Sequence, residues 1–217
     1  MEIKPIRLGD EGQAATRELL RRFDASAAAH TELRAQLATL EALDRQYGGA
    51  GRLELEDVED LVASILTQLS ALDDPELVIG AALWAQRHDV VVTAPEPVVN
   101  ALAERSNRAV GKQELAAVFG LMQGFIAHAA PRLAADLERS NPERAWRILH
   151  VNFAITAIRT EDAAMMEFAF DALDAALPDD RRGFYSEALA VALAPGIAPA
   201  VKVAIAARHS KWTQNLS

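Results

Sequence analysis

The chain of 217 residues is long enough for one domain with a sizeable core or for a short helical array. Hydrophobic residues make up 51% and charged residues 24%, which excludes a disordered chain. The formal net charge of −9 argues against nucleic acid and anionic membrane surfaces as partners, since both select basic faces, and the absence of cysteine excludes disulfides, thiolate catalysis and cysteine-ligated zinc.

The opening stretch, MEIKPIRLGDEG, has no apolar signal-peptide core, and no uncharged apolar run approaches the ~20 residues of a membrane span. No membrane insertion is expected, and a cytoplasmic location is the default. Glu2 to Leu8 reads as an extended arm, with Pro5 restricting it to an edge strand at best. Asp10 then caps a helix through Phe23, and a second helix runs from about Ala27 to Tyr47, where Gly48 and Gly49 end it. Leu33, Leu37, Leu40, Leu43 and Tyr47 suggest either a dimerising coiled-coil seam or an amphipathic helix facing a core. Two heptads are too few for a coiled coil and Asp44 interrupts the seam, so the amphipathic helix is preferred.

Gly48 to Arg52 reads as a linker, dividing an N-terminal arm and helical hairpin (1–50) from a helical core domain (51–217). The next helix, Glu54 to Leu72, carries Glu54, Glu56, Asp57, Glu59 and Asp60 in its first half. That acidic run suits the helix dipole and otherwise reads as a solvated face, or as a surface for a basic protein partner.

Asp74-Pro75-Glu76 starts a helix that reaches about His88. Val90 to Val92 reads as a buried extended loop, and Pro95 and Pro97 lead into a short helix ending near Arg105. Lys112 to Ala129 is strongly helical, with Leu115, Val118, Phe119, Met122, Phe125 and Ile126 inward and Pro131 as its stop. Gly120 and Gly124 lie four apart there, a spacing that permits a close helix crossing. A shorter helix is expected over Leu133 to Arg139.

Asn141 to Arg159 is the segment the rest surrounds. Asn141 is a suitable N-cap, Pro142 suits the first helical position, and Glu143 suits the positive end of the dipole. Trp146, Leu149, Phe153 and Ala157 form one apolar stripe, and Ile148, Val151, Ile155 and Ile158 an adjacent one. Together they exceed what a surface helix needs, so the helix is expected to be wrapped by others. Thr160 is expected to cap a helix to Leu177. Asp179 and Asp180 open another with Phe184, Tyr185, Leu189, Val191 and Leu193 inward, and a last helix runs from Ala200 to about Trp212.

The fold class is therefore all-α, either an α-solenoid-like array of helical hairpins or an irregular bundle around the 141–159 helix. In helix length and apolar spacing the last hundred or so residues resemble HEAT-type hairpins, though no defining repeat motif is present and the helix spacings are irregular. The resemblance implies an extended surface for protein partners.

Motif chemistry is absent from the sequence. Gly111-Lys112 lacks the rest of a phosphate-binding loop, and no GxGxxG, HExxH or GxSxG occurs. The residue three before each histidine is never Glu, which speaks against a carboxylate-bridged di-iron site. No metal site and no cofactor are expected.

The polar groups left on apolar helices are His128, Arg132, Arg147, His150, Asn152 and Tyr185. They form either a small pocket with histidine for acid–base work or ordinary core and helix-end residues, and the latter is preferred. The sequence thus points away from an enzyme and towards a helical interaction or scaffold protein with a protein partner. The alternatives are a small-molecule pocket or helical enzyme using His128, His150 and Tyr185, and a homodimer through the N-terminal hairpin.

Overall fold

The computed structural model describes Arg21 and residues 30–48, 57–133 and 144–213; for 131–133 it describes the backbone alone. The arm, most of the helix expected after Asp10, Glu54, Glu56, the short helix expected between Leu133 and Arg139, and the cap expected at Asn141 lie outside the described residues. Among the described residues the fold is all-α, with nine helices and no strand. The helices are α1 (Thr31–Tyr47), α2 (Val58–Ser70), α3 (Pro75–Arg87), α4 (Glu96–Arg108), α5 (Lys112–Leu133), α6 (Ala145–Thr160), α7 (Ala163–Ala176), α8 (Arg181–Ala192) and α9 (Pro199–Thr213). They group into two compact units. The first holds α1 to α4 with Gly124 to Arg132 of α5, and the second holds α5 up to Gln123, its last residue Leu133, and α6 to α9.

In the first unit, consecutive helices pack on one another, and α2 also touches α4. The buried positions of α1 are Leu33, Leu37, Leu40 and Asp44, spaced four, three and four, while Leu43 is half-buried and Tyr47 is exposed, so Asp44 and not Leu43 continues the inward stripe. Beside that stripe, Gln36 donates to Ser64 Oγ at 3.1 Å and Gln68 donates to Gln36 Oε1 at 2.9 Å, tying α1 to α2. Gly48 ends α1 in the left-handed conformation, φ 72°, where its lack of a Cβ removes the steric penalty.

Asp74 caps α3 as its sequence suggests, accepting the Glu76 N–H at 3.0 Å, with Pro75 at the first helical position. Gly124 of α5 meets α3 closely. Gln86 Nε2 donates to the Gly124 carbonyl at 3.0 Å, and a Cβ at Gly124 would lie 3.0 Å from the same nitrogen. Gly120 faces open space instead. Val90 and Val92 form a buried loop rather than a strand.

In the second unit α6 packs on α7, α8 on α9, and α7 on α9. Trp146, Leu149, Phe153 and Ala157 of α6 are buried, each large side chain contributing roughly 1.5–3 kcal/mol. Phe119 stacks on Phe153 at 4.3 Å, and Phe168 meets both rings edge-on.

Several expectations differ in detail. The second stripe of α6 is not enclosed: Ile148, Val151 and Ile158 are half-buried and Ile155 is 40% exposed. Val191 and Leu193, expected inside, are 66% and 73% exposed. Asp162, not Thr160, caps α7, accepting from the Met165 N–H at 2.9 Å, while Thr160 closes α6 by donating to the Ala157 carbonyl at 2.6 Å. Helix α5 passes through Pro131 to Leu133, because a proline in a last turn forfeits one backbone bond while keeping a helical φ. Consecutive pairing of helices does not by itself make a repeat, so the HEAT-type likeness rests on helix length and spacing alone.

Candidate binding groove

The polar residues singled out in the sequence are spread over both units. In the first, His128 Nε2 donates to the Val90 carbonyl at 2.9 Å, which holds the buried loop against α5 and fixes the tautomer. Arg132 has no described side chain. Asp57, at the start of α2, and Asp60 are exposed, and Glu59 is half-buried with interactions of its own.

In the second unit Arg147 pairs with Asp180 at 2.8 Å. Asn152 donates to the Ile148 carbonyl one turn back in its own helix. His150 is buried with its ring edge against Trp146, and neither ring nitrogen has a hydrogen-bond partner among the described residues. Burial pushes its pKa down to about 4, so the imidazole is neutral at pH 7. Tyr185 is fully buried and donates to Asp174 Oδ1 at 2.9 Å. Burial, and then the Asp174 carboxylate, hold its phenol well above the ordinary range. Both groups are therefore poorly suited to proton transfer near neutral pH.

Two polar clusters escaped the sequence reading. In the first unit Asp44, Arg87 and His88 are buried together: Asp44 Oδ1 lies 2.6 Å from His88 Nε2, and Oδ2 lies 3.6 Å from the Arg87 guanidinium. Burial lowers the Arg87 pKa, with Asp44 opposing the shift. In the second unit Asp174 gathers the Tyr185 hydroxyl, Arg208 at 2.8 Å and the Trp212 indole N–H at 3.0 Å. Its backbone carbonyl accepts from Arg181 at 2.6 Å, and the Arg181 guanidinium lies over the Trp212 ring at 4.4 Å. Burial works against the Arg208 charge, but its bonds to Asp171 and Asp174 raise its pKa on balance.

The first cluster joins α1 to α3 and the second joins α7, α8 and α9, each through buried polar side chains brought together, the arrangement of a clamp. The available sequence signal was a lone carboxylate on an apolar stripe: Asp44 follows Leu33, Leu37 and Leu40, and Asp174 follows Phe170 and Leu173.

Among the described residues no group of three or more histidine and acidic side chains is placed to hold a metal ion. No described helix is long and apolar enough to cross a membrane.

The opening that remains is apolar. The Arg147–Asp180 pair sets the start of α8 beside α6. Beyond it, the open stripe of α6 (Val151, Ile155, Ile158) and one face of α8 (Phe184, Ala188, Val191) line a groove, with Val201 and Ile205 of α9 contributing to its lining. Its volume is about 580 Å³, within the ~300–1,000 Å³ of ordinary ligand sites. The charged side chains lining it are Arg159, Glu161 and Glu187. Among the described side chains, none of His128, Arg147, His150, Asn152 and Tyr185 lines it.

No family model matches the chain, and neither the curated proteins nor the solved structures contain a significant match.

Proposed function

We propose that the protein is a non-catalytic helical binding protein that seats a segment of a protein partner in the groove between α6 and α8. The observation that carries this reading is the exposure of large apolar side chains inside a built concavity: Ile155 and Val191 line the groove and stand open to solvent. Exposed apolar patches rimmed by charge mark interaction surfaces. Among the described residues the groove lining holds no nucleophile, no histidine and no paired acid and base at hydrogen-bond distance, which supports binding over catalysis. A helix laid into an apolar groove is a recurring mode of recognition that suits walls made of two helices.

The test compares baits in the same lysate: wild type, Ile155→Asp, Val191→Asp, and Val203→Asp. Val203 is exposed on α9 but is not part of the groove lining. The reading predicts a prey captured by wild type and by Val203→Asp but lost with both groove variants. Identical capture by all four baits would remove the groove from consideration.

A further inference from the structure

Building on that reading, we infer that the groove takes an amphipathic helix whose flanks are basic. The α6 wall runs from Val151 to Ile158 and the α8 wall from Phe184 to Ala192. At 1.5 Å per residue each wall is roughly 10–12 Å long, about two helical turns. That length takes apolar anchors at i, i+3 or i+4, and i+7 of a bound helix and no more.

The charge at the edge then sets the sign of the flanks. Glu187 is exposed beside the groove and has no ion pair among the described residues. Glu161 is also at the edge, bridged to Lys112 at 2.6 Å. Among the described residues Arg159 is the one cation of the lining, and it already has interactions of its own. Among the described residues Glu187 is thus the edge charge without an ion pair, on a chain whose net charge is −9. A lysine or arginine beside the apolar stripe of the bound helix meets Glu187, whereas an acidic flank meets like charge. The net charge also speeds encounter with a basic partner and slows an acidic one.

The experiment titrates the full chain into two fluorescein-labelled designed peptides. Each has about 18 residues, above the ~12–15 at which isolated helices become marginal. They carry the same leucine stripe, with lysines flanking it in one and glutamates in the other. A third peptide has the lysine composition in scrambled order, without a stripe.

Fluorescence anisotropy is expected to show the lysine helix binding roughly tenfold tighter than the glutamate helix at low salt. The gap should shrink in 1 M salt, where the Debye length falls to ~3 Å. Glu187→Lys is expected to erase the preference, and Ile155→Asp to weaken the lysine helix by about tenfold or more.

Equal binding of the two helices, both weakened by Ile155→Asp and by Val191→Asp, overturns the basic-flank inference and leaves the groove reading standing. Equal binding of the scrambled peptide, or no binding by either helix, also overturns the inference. Binding indifferent to both groove variants overturns the inference and the groove reading together. Circular dichroism of each variant confirms that it is folded; the exposure of Ile155 and Val191 makes a polar replacement compatible with folding.

Discussion

Asp44 Oδ1 lies 2.6 Å from Nε2 of His88, across 44 residues of sequence, with both side chains sealed from solvent. The contact fastens the last turn of α1 to the end of α3. Asp44 also lies 3.6 Å from the buried Arg87 guanidinium, and removing one member of such a buried ion pair costs about 3–5 kcal/mol. Asp44→Ala is expected to cost about that much in urea unfolding. Arg45→Ala, which loses only an exposed pair to Glu41 at 3.9 Å, should cost under about 1 kcal/mol. Equal effects would contradict the clamp.

The Asp174 cluster makes a graded prediction. Tyr185→Phe removes the hydroxyl that donates to the Asp174 carboxylate at 2.9 Å, and more weakly to the Phe170 carbonyl at 3.4 Å, and should cost about 1.5–3 kcal/mol. Asp174→Ala removes the carboxylate shared by Tyr185, Arg208 and Trp212, leaving Arg208 its bond to Asp171, and should cost distinctly more. Thermal or urea unfolding would settle the order, and a smaller loss for Asp174→Ala than for Tyr185→Phe would refute the shared network.

His150 ties stability to pH. Its folded pKa lies near 4, below the ordinary 6.5, because burial disfavours the imidazolium. The unfolded chain therefore binds this proton first as pH falls. The contribution is full above about pH 6.5 and is lost progressively down to about pH 4, by at most about 3 kcal/mol. His150→Leu should flatten this window relative to wild type. At pH 7.5 it should leave stability unchanged or raise it, since no hydrogen bond is lost. A parallel pH dependence in the two proteins would show that His150 titrates normally.

The two glycines of α5 should part company. Gly120→Ala has open space and should gain about 0.5–1 kcal/mol of helix stability. Gly124→Ala would press its Cβ against Gln86 Nε2 at 3.0 Å and disturb the bond from that nitrogen to its own carbonyl. It should be neutral or destabilising. The same gain at both sites would mean that α3 and α5 approach less closely than described.

Much of the secondary structure was readable from residues alone because its causes are local. Apolar spacing marked α1, α5, α6 and α7, and Asp74-Pro75 marked the start of α3. Local reasoning failed where two local signals competed, as at Thr160 and Asp162, neighbouring candidates for one cap. It also failed to find a polar clamp, since Asp44 reads as a blemish in a leucine stripe until His88 and Arg87 are brought to it.

What the sequence determined by itself is the class of fold and the absence of cysteine chemistry and of the motifs sought. Composition and the 3.6-residue repeat dictate helices with one or more apolar faces, whatever those faces go on to meet. Only the tertiary structure decided which faces stay open. An isoleucine carries the same signal whether it is buried or lines a groove, so Phe153 and Ile155 look alike along the chain. Which neighbour stands opposite each side chain separates them: the Phe119 ring covers Phe153, while Ile155 faces the gap between α6 and α8.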